Sequence, residues 1–458
     1  MNILIIGAGD IGFQLSKQLS RQKHDITMIE ADQQKMMRAS EQLDAIVIAG
    51  NGGSYRTLEE AQLQKMGIVA AMTDRDEVNL MACRLAKRSG VPTTIARVRH
   101  PQYTTPDFIL SPDELGTDLI IHPEKETADA VLHLIHQSCA AYAIELDNGK
   151  IDVLGVHLEQ NSPLLDIPLM DLIQKYGDPP MRIVAIDRNY HTIIPGGDDK
   201  LIYGDEVFVI CDPEYTPTFI SLAGKKDRPM RNVMILGGGL IGQFIATSLA
   251  PKANVKIVET DMEKAQKLAD SIPRALIING DGTDFDLLES EGLNDMDAFV
   301  AVTGNDEVNI ITTLLAQHAN VPRSIALVNK REYISIAPKL GVDATVSKQS
   351  LAVNSVRRYI QQQQVATIAN IPSGDTQIIE YITQAGCKIT RQPLKDINFP
   401  DNAIMGGILR NDKLIIPKGD TQVQAEDKVV IFTLPQTMSK VDKLFSQERS
   451  LISQILPL

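Results

Sequence analysis

Apolar and polar residues follow two periods that take turns along the first hundred positions. Short, nearly continuous apolar runs, ILIIG, DITMIE, AIVIAG, IVAAMT and TTIARV, read as strands buried on both faces, since few polar residues interrupt them. Between these runs lie segments with helical spacing, which predict helices from Ile11, Gln33, Thr57 and Glu77. Strand and helix in alternation predict a parallel sheet with helices on both faces.

The pattern then returns. RNVMILGGGLIGQFIATSLA from Arg231 repeats MNILIIGAGDIGFQLSKQLS from Met1, so Gly237, Gly239 and Gly242 stand 230 positions after Gly7, Gly9 and Gly12. The echo continues in HDITMIEAD and ANVKIVETD, ending at Asp32 and Asp261. It runs on in GNGGSYRTLEEA and GDGTDFDLLESE, from Gly50 and Gly280, and in MTDRDEVNLMA and VTGNDEVNIIT, from Met72 and Val302. Beyond Tyr103 and Tyr333 the offset falls to 225, which gives the first copy a five-residue insertion in TTPDFILSPDE. A third block repeats at an offset of 222: IIPGGDDKLIYGDEVFVI from Ile193 and IIPKGDTQVQAEDKVVIF from Ile415. Its short alternating strands surround a Pro-x-Gly-Asp turn and an acidic turn.

Each half is therefore expected to be α/β, a Rossmann-like doubly wound domain followed by a small α/β domain, with bounds at 1–123, 140–216, 231–350 and 366–450. Pro213, Pro217, Pro229 and the basic run GKKDRPMR mark the region from Asp212 to Arg231 as the connection between the halves.

Composition narrows the function. A length of 458 residues suits about three domains, and a net charge of −13 opposes nucleic acid and anionic bilayers, both of which need a basic surface. No apolar run approaches the roughly 20 residues of a membrane span, and strand residues Ile3 to Ile6 leave no room for a signal sequence, so a cytoplasmic protein without direct membrane insertion is expected. Cys83, Cys139, Cys211 and Cys387 form no CxxC or metal spacing and read as reduced core residues.

The glycines carry the chemistry. At a strand-to-helix turn they let backbone approach a pyrophosphate, and the helix start supplies unpaired N–H groups. Glu30 and Glu259 close the second strand of each copy, where a carboxylate accepts bonds from a ribose diol and repels a 2′-phosphate, favouring NAD or an adenine nucleotide over NADP. Thr73 and Thr303 close the fourth strand at the ligand edge, and Arg97 leaves the fifth where it can reach a phosphate. Asp76, Glu77, Asp306 and Glu307 read as charges placed at helix N-termini. The copies differ: Gly304 replaces Asp74, Leu327 replaces Arg97, and Ser54 stands where the second has Asp284. His133 and His136, at i and i+3 in AVLHLIHQS, have apolar neighbours and read as packing residues. No clustered acid, base or nucleophile accompanies the sites, and Tyr-x-x-x-Lys is absent. A nucleotide that is sensed fits better than one that gives up a hydride. The rival readings are an NAD-dependent dehydrogenase and, against the charge, a redox-sensing transcription factor.

The paired GxGxxG units, the two GxGxxxxxLxxx segments, the paired T-x-x-D-E-V-N segments and the Pro-x-Gly-Asp turns resemble the regulator-of-potassium-conductance (RCK) family in tandem, over nearly the whole chain. That resemblance implies a homo-oligomer, dimer or tetramer, that binds NAD(H) and also ATP or ADP. It implies docking on a membrane potassium-translocating subunit of the Trk type, at the cytoplasmic face of the inner membrane. The nucleotide contacts it implies in the first copy are Gly7, Ala8, Gly9, Asp10, Ile11, Glu30, Thr73, Asp74, Arg97 and Val98. In the second they are Gly237, Gly238, Gly239, Leu240, Ile241, Glu259, Thr303 and Gly304. The moving parts it implies are whole lobes, hinged at a helix near Glu126 to Ala141 and its counterpart near Leu351 to Gln361.

Overall fold

The computed structural model describes residues 1–105, 108–136, 140, 142–147, 149–177, 179–188, 191–225, 230–360, 365–370 and 376–446. The first sheet holds β1 (Asn2–Ile6), β2 (Asp25–Glu30), β3 (Ile46–Ala49), β4 (Ile68–Ala71), β5 (Thr93–Arg97) and β6 (Leu119–Ile121), all parallel, in the order β3-β2-β1-β4-β5-β6. An antiparallel sheet follows, of β7 (Tyr142–Leu146), β8 (Ile151–His157), β9 (Met181–Arg188), β10 (His191–Ile193) and β11 (Glu206–Cys211). The second parallel sheet repeats the first order as β14-β13-β12-β15-β16-β17, from β12 (Asn232–Leu236), β13 (Asn254–Glu259), β14 (Ala275–Asn279), β15 (Ala298–Ala301), β16 (Arg323–Leu327) and β17 (Ala344–Val346). Last come β18 (Val365–Asn370), β19 (Gln377–Ile382), β20 (Ala403–Arg410), β21 (Lys413–Ile415) and β22 (Lys428–Thr433), antiparallel as β18-β19-β22-β20-β21. The expected tandem α/β fold is present. No helix among the described residues is long and apolar enough to cross a membrane.

The apolar runs explain the parallel sheets. Ile3, Leu4 and Ile5 are fully buried, as are Val233, Met234 and Ile235 at the equivalent strand, because helices cover both faces. Helix starts repeat as well: Asp32 accepts from the Lys35 N–H at 2.9 Å and Asp261 from Lys264 at 3.1 Å, each capping the helix after the second strand. Cys83, Cys211 and Cys387 are buried free thiols, and burial pushes Cys83 and Cys211 up to about 12; Cys139 lies outside the described residues.

The chain does not divide at the boundary of its repeat. It forms two compact units, one of residues 1–128 with 347–359, the other of 129–346 with 360–458. The helix Pro123–His136, which we call the first crossover helix, starts in the first unit and ends in the second; the second crossover helix, Lys348–Ile360, belongs almost wholly to the first. Arg323, 3% exposed at the start of β16, donates to the carbonyls of Leu134, at 3.3 Å, and Ala140, and so holds the end of the first crossover helix in the second unit. Within the first unit, Arg357 donates to Gln18 Oε1 at 3.2 Å and Ser355 to Glu126 Oε2 at 2.7 Å.

One expectation needs correction and another gains detail. Asp212 to Arg231 is not simply a connection, because Pro213–Tyr215 and the helix Thr216–Leu222 bury Thr216, Phe219 and Ile220; the basic run falls partly outside the described residues. The five-residue insertion also does more than lengthen a loop. Where the second copy has one helix, Arg331–Leu340, the first has a turn at Pro101–Thr104 and a one-turn helix, Pro112–Leu115, opened by a Ser111–Glu114 capping box.

Inside the second unit the two antiparallel sheets share one core. Leu146, Val153, Val184, Phe208 and Ile210 pack with Ile378, Leu409, Val430 and Phe432. Gly406 lets β20 come close, since a Cβ there would stand 3.1 Å from Val184 and 3.2 Å from Ile210 side-chain carbons. Each small domain is pinned by a two-pronged ion pair: Arg188 on Asp205 at 2.9 and 2.8 Å, Arg410 on Asp427 at 2.8 and 2.7 Å. Asp427 is 2% exposed and also accepts from the Gln424 N–H at 2.7 Å. Asp427→Ala leaves the Gln424 amide without its acceptor and the Arg410 guanidinium with the Gln422 carbonyl and solvent, so it should destabilise the protein by about 2 kcal/mol, read as a lower urea midpoint. An unchanged midpoint would show that the pair is ornamental.

Candidate functional site

Both sites are built where strand order reverses, beside β1 and β12, at the carboxyl ends of the strands. Gly7 has φ of 101°, and a Cβ on it would stand 3.0 Å from the Thr73 nitrogen; Gly237, with φ of 107°, meets Thr303 at 3.1 Å. A Cβ on Gly12 or Gly242 would lie 2.0 Å from the carbonyl oxygen of Gly7 or Gly237. The first and third glycines are thus fixed by close backbone approach. The second is different: at Gly9 and Gly239, which start the helices Asp10–Arg21 and Leu240–Leu249, a Cβ would meet nothing within 4 Å.

The acids reach back over these loops. Glu30, 9% exposed, accepts from the Ala8 N–H at 2.5 Å and, through its other oxygen, from Ala31 and Asp32 at 2.7 and 2.8 Å. Glu259 accepts from the Gly238 N–H at 2.9 Å and from Asp261 at 3.0 Å. Each carboxylate is therefore fixed at the mouth of the glycine turn with lone pairs left for a further donor. Ala8 and Gly238 differ for a local reason: a Cβ on Gly238 would strike Leu268 at 2.3 Å, whereas the helix Gln33–Gln42 buries the smaller Ala39.

The T-x-x-D-E-V-N segments hold the adjoining loops. Asn79, fully buried, accepts from the Thr73 N–H and hydroxyl at 3.0 and 2.7 Å, and donates to the carbonyls of Thr73 and Arg97 at 3.0 and 2.9 Å. Asn309 does the same for Thr303 and Leu327. Asp76 accepts from the Arg99 and His100 N–H groups at 2.9 and 2.8 Å, and Asp306 from those of Asn329 and Lys330. These aspartates tie down the loop after the fifth strand, a stronger role than placing charge at a helix start. The asparagines were missed from sequence, although a polar residue repeated on a buried helix face signals them. Of the remaining candidates, Asp10, Asp74 and Gly304 are exposed, Leu240 is half-buried, and Ile11, Val98 and Ile241 are buried.

Arg97 stands apart. Its side chain is 11% exposed and its guanidinium faces Glu124, at 3.1 Å, instead of open solvent. Arg99 and Lys348 approach the same carboxylate oxygen at 3.5 and 3.6 Å. Burial pushes the Glu124 carboxyl up, but Arg97, Lys348 and Arg99 overcome it and leave it below the usual range. Burial also lowers the Lys348 ammonium, and repulsion from Arg97 and Arg99 adds to it against the pull of Glu124. The positive charge gathered around this one acid contributes to both shifts. The second site has Leu327, 4% exposed, in place of Arg97. His133 lies on the first crossover helix, and no metal-holding group of His, Cys, Asp or Glu occurs among the described residues.

Residues 3–123 and 233–348 match the TrkA-N domain and residues 153–224 and 371–446 the TrkA-C domain. The chain is 31% identical to the Trk system potassium uptake protein TrkA of Azorhizobium caulinodans, across 97% of this chain and 98% of that one. It is 33% identical to a TrkA homolog of Methanosarcina mazei, across 97% and 100%. A solved structure of the GsuK channel bound to NAD has the same fold, with a TM-score of 0.61, 16% identity, and coverage of 97% of this chain and 78% of that one.

The glycine geometry separates folding from binding. Gly12→Ala should cost about 2 kcal/mol through forced overpacking and lower the thermal midpoint, while Gly9→Val, facing open space, should leave it unchanged. Equal losses of stability in the two variants would contradict this division.

Proposed function

Because the chain belongs to the TrkA family of Trk system potassium uptake proteins, we propose that it is a nucleotide-sensing regulatory subunit: it binds NAD(H), and ATP or ADP, and gates a membrane subunit through which potassium passes. The observation that carries this reading is the pair of carboxylates, Glu30 and Glu259, held by backbone N–H groups at the mouths of two glycine turns. The turns would cradle a pyrophosphate over Gly7 to Ile11 and Gly237 to Ile241, with Gly9 and Gly239 leaving the room a ligand needs. Glu30 and Glu259 would take the ribose diol. The bound group supplies charge and shape; the protein supplies the response.

On this reading no chemical step follows. Several acid and hydroxyl groups beside the turns are engaged in holding the loops, Asp76, Asp306, Thr73 and Thr303 with loop backbone or Asn side chains, and Glu124 pairs with cations, which supports a binding role over a dehydrogenase. Regulation needs only unequal affinity of the nucleotide for two arrangements of the assembly, and a coupling of about 1–3 kcal/mol is ordinary. The reading takes the working division as 1–123, 140–216, 231–350 and 366–450. It also takes the protein as a homo-oligomer, attached to the cytoplasmic face of the inner membrane through its partner.

The test is potassium flux through the Trk-type membrane subunit reconstituted in vesicles with this protein. NADH or ATP should change the flux with no cofactor oxidised. The Gly9→Val, Gly239→Val double variant, folded by thermal midpoint, should lose the response. Flux that stays nucleotide-responsive in that variant excludes these turns as the sensor, and NADH consumption with a small substrate restores the dehydrogenase.

A further inference from the structure

The cation cluster at the first site includes a residue from the other half of the chain. Lys348 opens the second crossover helix, yet its ammonium sits 3.6 Å from Glu124, inside the first unit. The helix is held there further along by Ser355 on Glu126 and Arg357 on Gln18. Glu124 is 4% exposed and serves Arg97, Arg99 and Lys348 through a single oxygen, Oε1. Its Oε2 has no hydrogen-bond partner among the described residues, nor has the buried Nε of Arg97.

One carboxylate therefore stands against three cations. Asp76 adds negative charge nearby but is taken up by the backbone of Arg99 and His100. Positive charge is thus in excess around a buried carboxylate, with Arg99 43% and Lys348 28% exposed at its open side, and a multiply charged phosphate group is the ligand that would balance it. The repeat does not reproduce it: Leu327, Asn329 and Gln349 stand at the positions of Arg97, Arg99 and Glu124.

We propose that Lys348 is a specificity-determining residue of the first nucleotide site, selecting ligands by phosphate charge, and that its helix carries the occupancy of that site into the second half of the chain. This rests on the nucleotide-sensing reading above. A terminal phosphate engages Arg97, Arg99 and Lys348, and Glu124 is the anion that holds the three in place until it arrives. A dinucleotide such as NADH, whose phosphates are both esterified, satisfies the cluster less fully than ATP.

The experiment is calorimetric titration of ATP and of NADH into the full-length protein, paired with hydrogen–deuterium exchange of residues 348–360. Lys348→Gln should weaken ATP binding about tenfold and NADH binding less than twofold, and should abolish the ATP-induced protection of the helix. Lys348→Arg, which keeps the charge, should restore most of both. Equal losses for the two ligands, unchanged ATP affinity, or unaltered protection in Lys348→Gln would overturn the proposal while leaving the parent reading intact. Absence of binding of either nucleotide to the unmutated protein would overturn both.

Discussion

A backbone-to-backbone contact comes before everything else in this molecule. The carbonyl oxygen of Gly7 occupies the place where a side chain on residue 12 would begin, and Gly237 does the same to residue 242. Only that approach sets the helix Asp10–Arg21 directly on the end of β1 with its free N–H groups aimed at the carboxyl edge of the sheet. The acid at the end of β2 then finds a backbone N–H to hold it, and the Thr73 loop packs against Gly7. Move the third glycine and each of these relations shifts together.

Around that contact the two copies keep their loops and change their charges. Asn79 and Asn309 make matching sets of four bonds, and Asp76 and Asp306 clamp matching amides, so the scaffolding is common to both. Arg97 with Glu124 has no ionic counterpart, because Leu327 and Gln349 fill those positions. On the proposed reading, a shared frame with unequal electrostatics would give the two sites of one chain different preferences.

Much of this was legible in the residue pattern. The glycine spacing, the acids at Glu30 and Glu259 and the second copy of the strands depend on local sequence, and local sequence records them. The exchange of the crossover helices does not show in any periodicity. It depends on single polar residues, the buried Arg323 on β16, which holds the end of one helix, and the half-buried Lys348 at the start of the other, which look in sequence like ordinary surface charges. Arg97 was legible only in part for the same reason: its position at the end of β5 puts it at the ligand edge, but its partner Glu124 lies 27 positions on, on a helix whose packing sequence does not reveal. The Asp212 region read as a linker because its prolines are conspicuous, while the buried Phe219 and Ile220 that anchor it are not.

The central claim is that a carboxylate fixed on a glycine turn makes these sites for a nucleotide with a free ribose diol. It is tested most directly by competing NADH against NADPH for the purified protein at equilibrium. The 2′-phosphate of NADPH would be brought against Glu30 or Glu259, a clash of like charge in a half-buried place, so NADH should bind at least about tenfold more tightly. Glu30→Gln with Glu259→Gln should narrow that gap. Equal affinity for the two nucleotides in the unmutated protein would contradict the account.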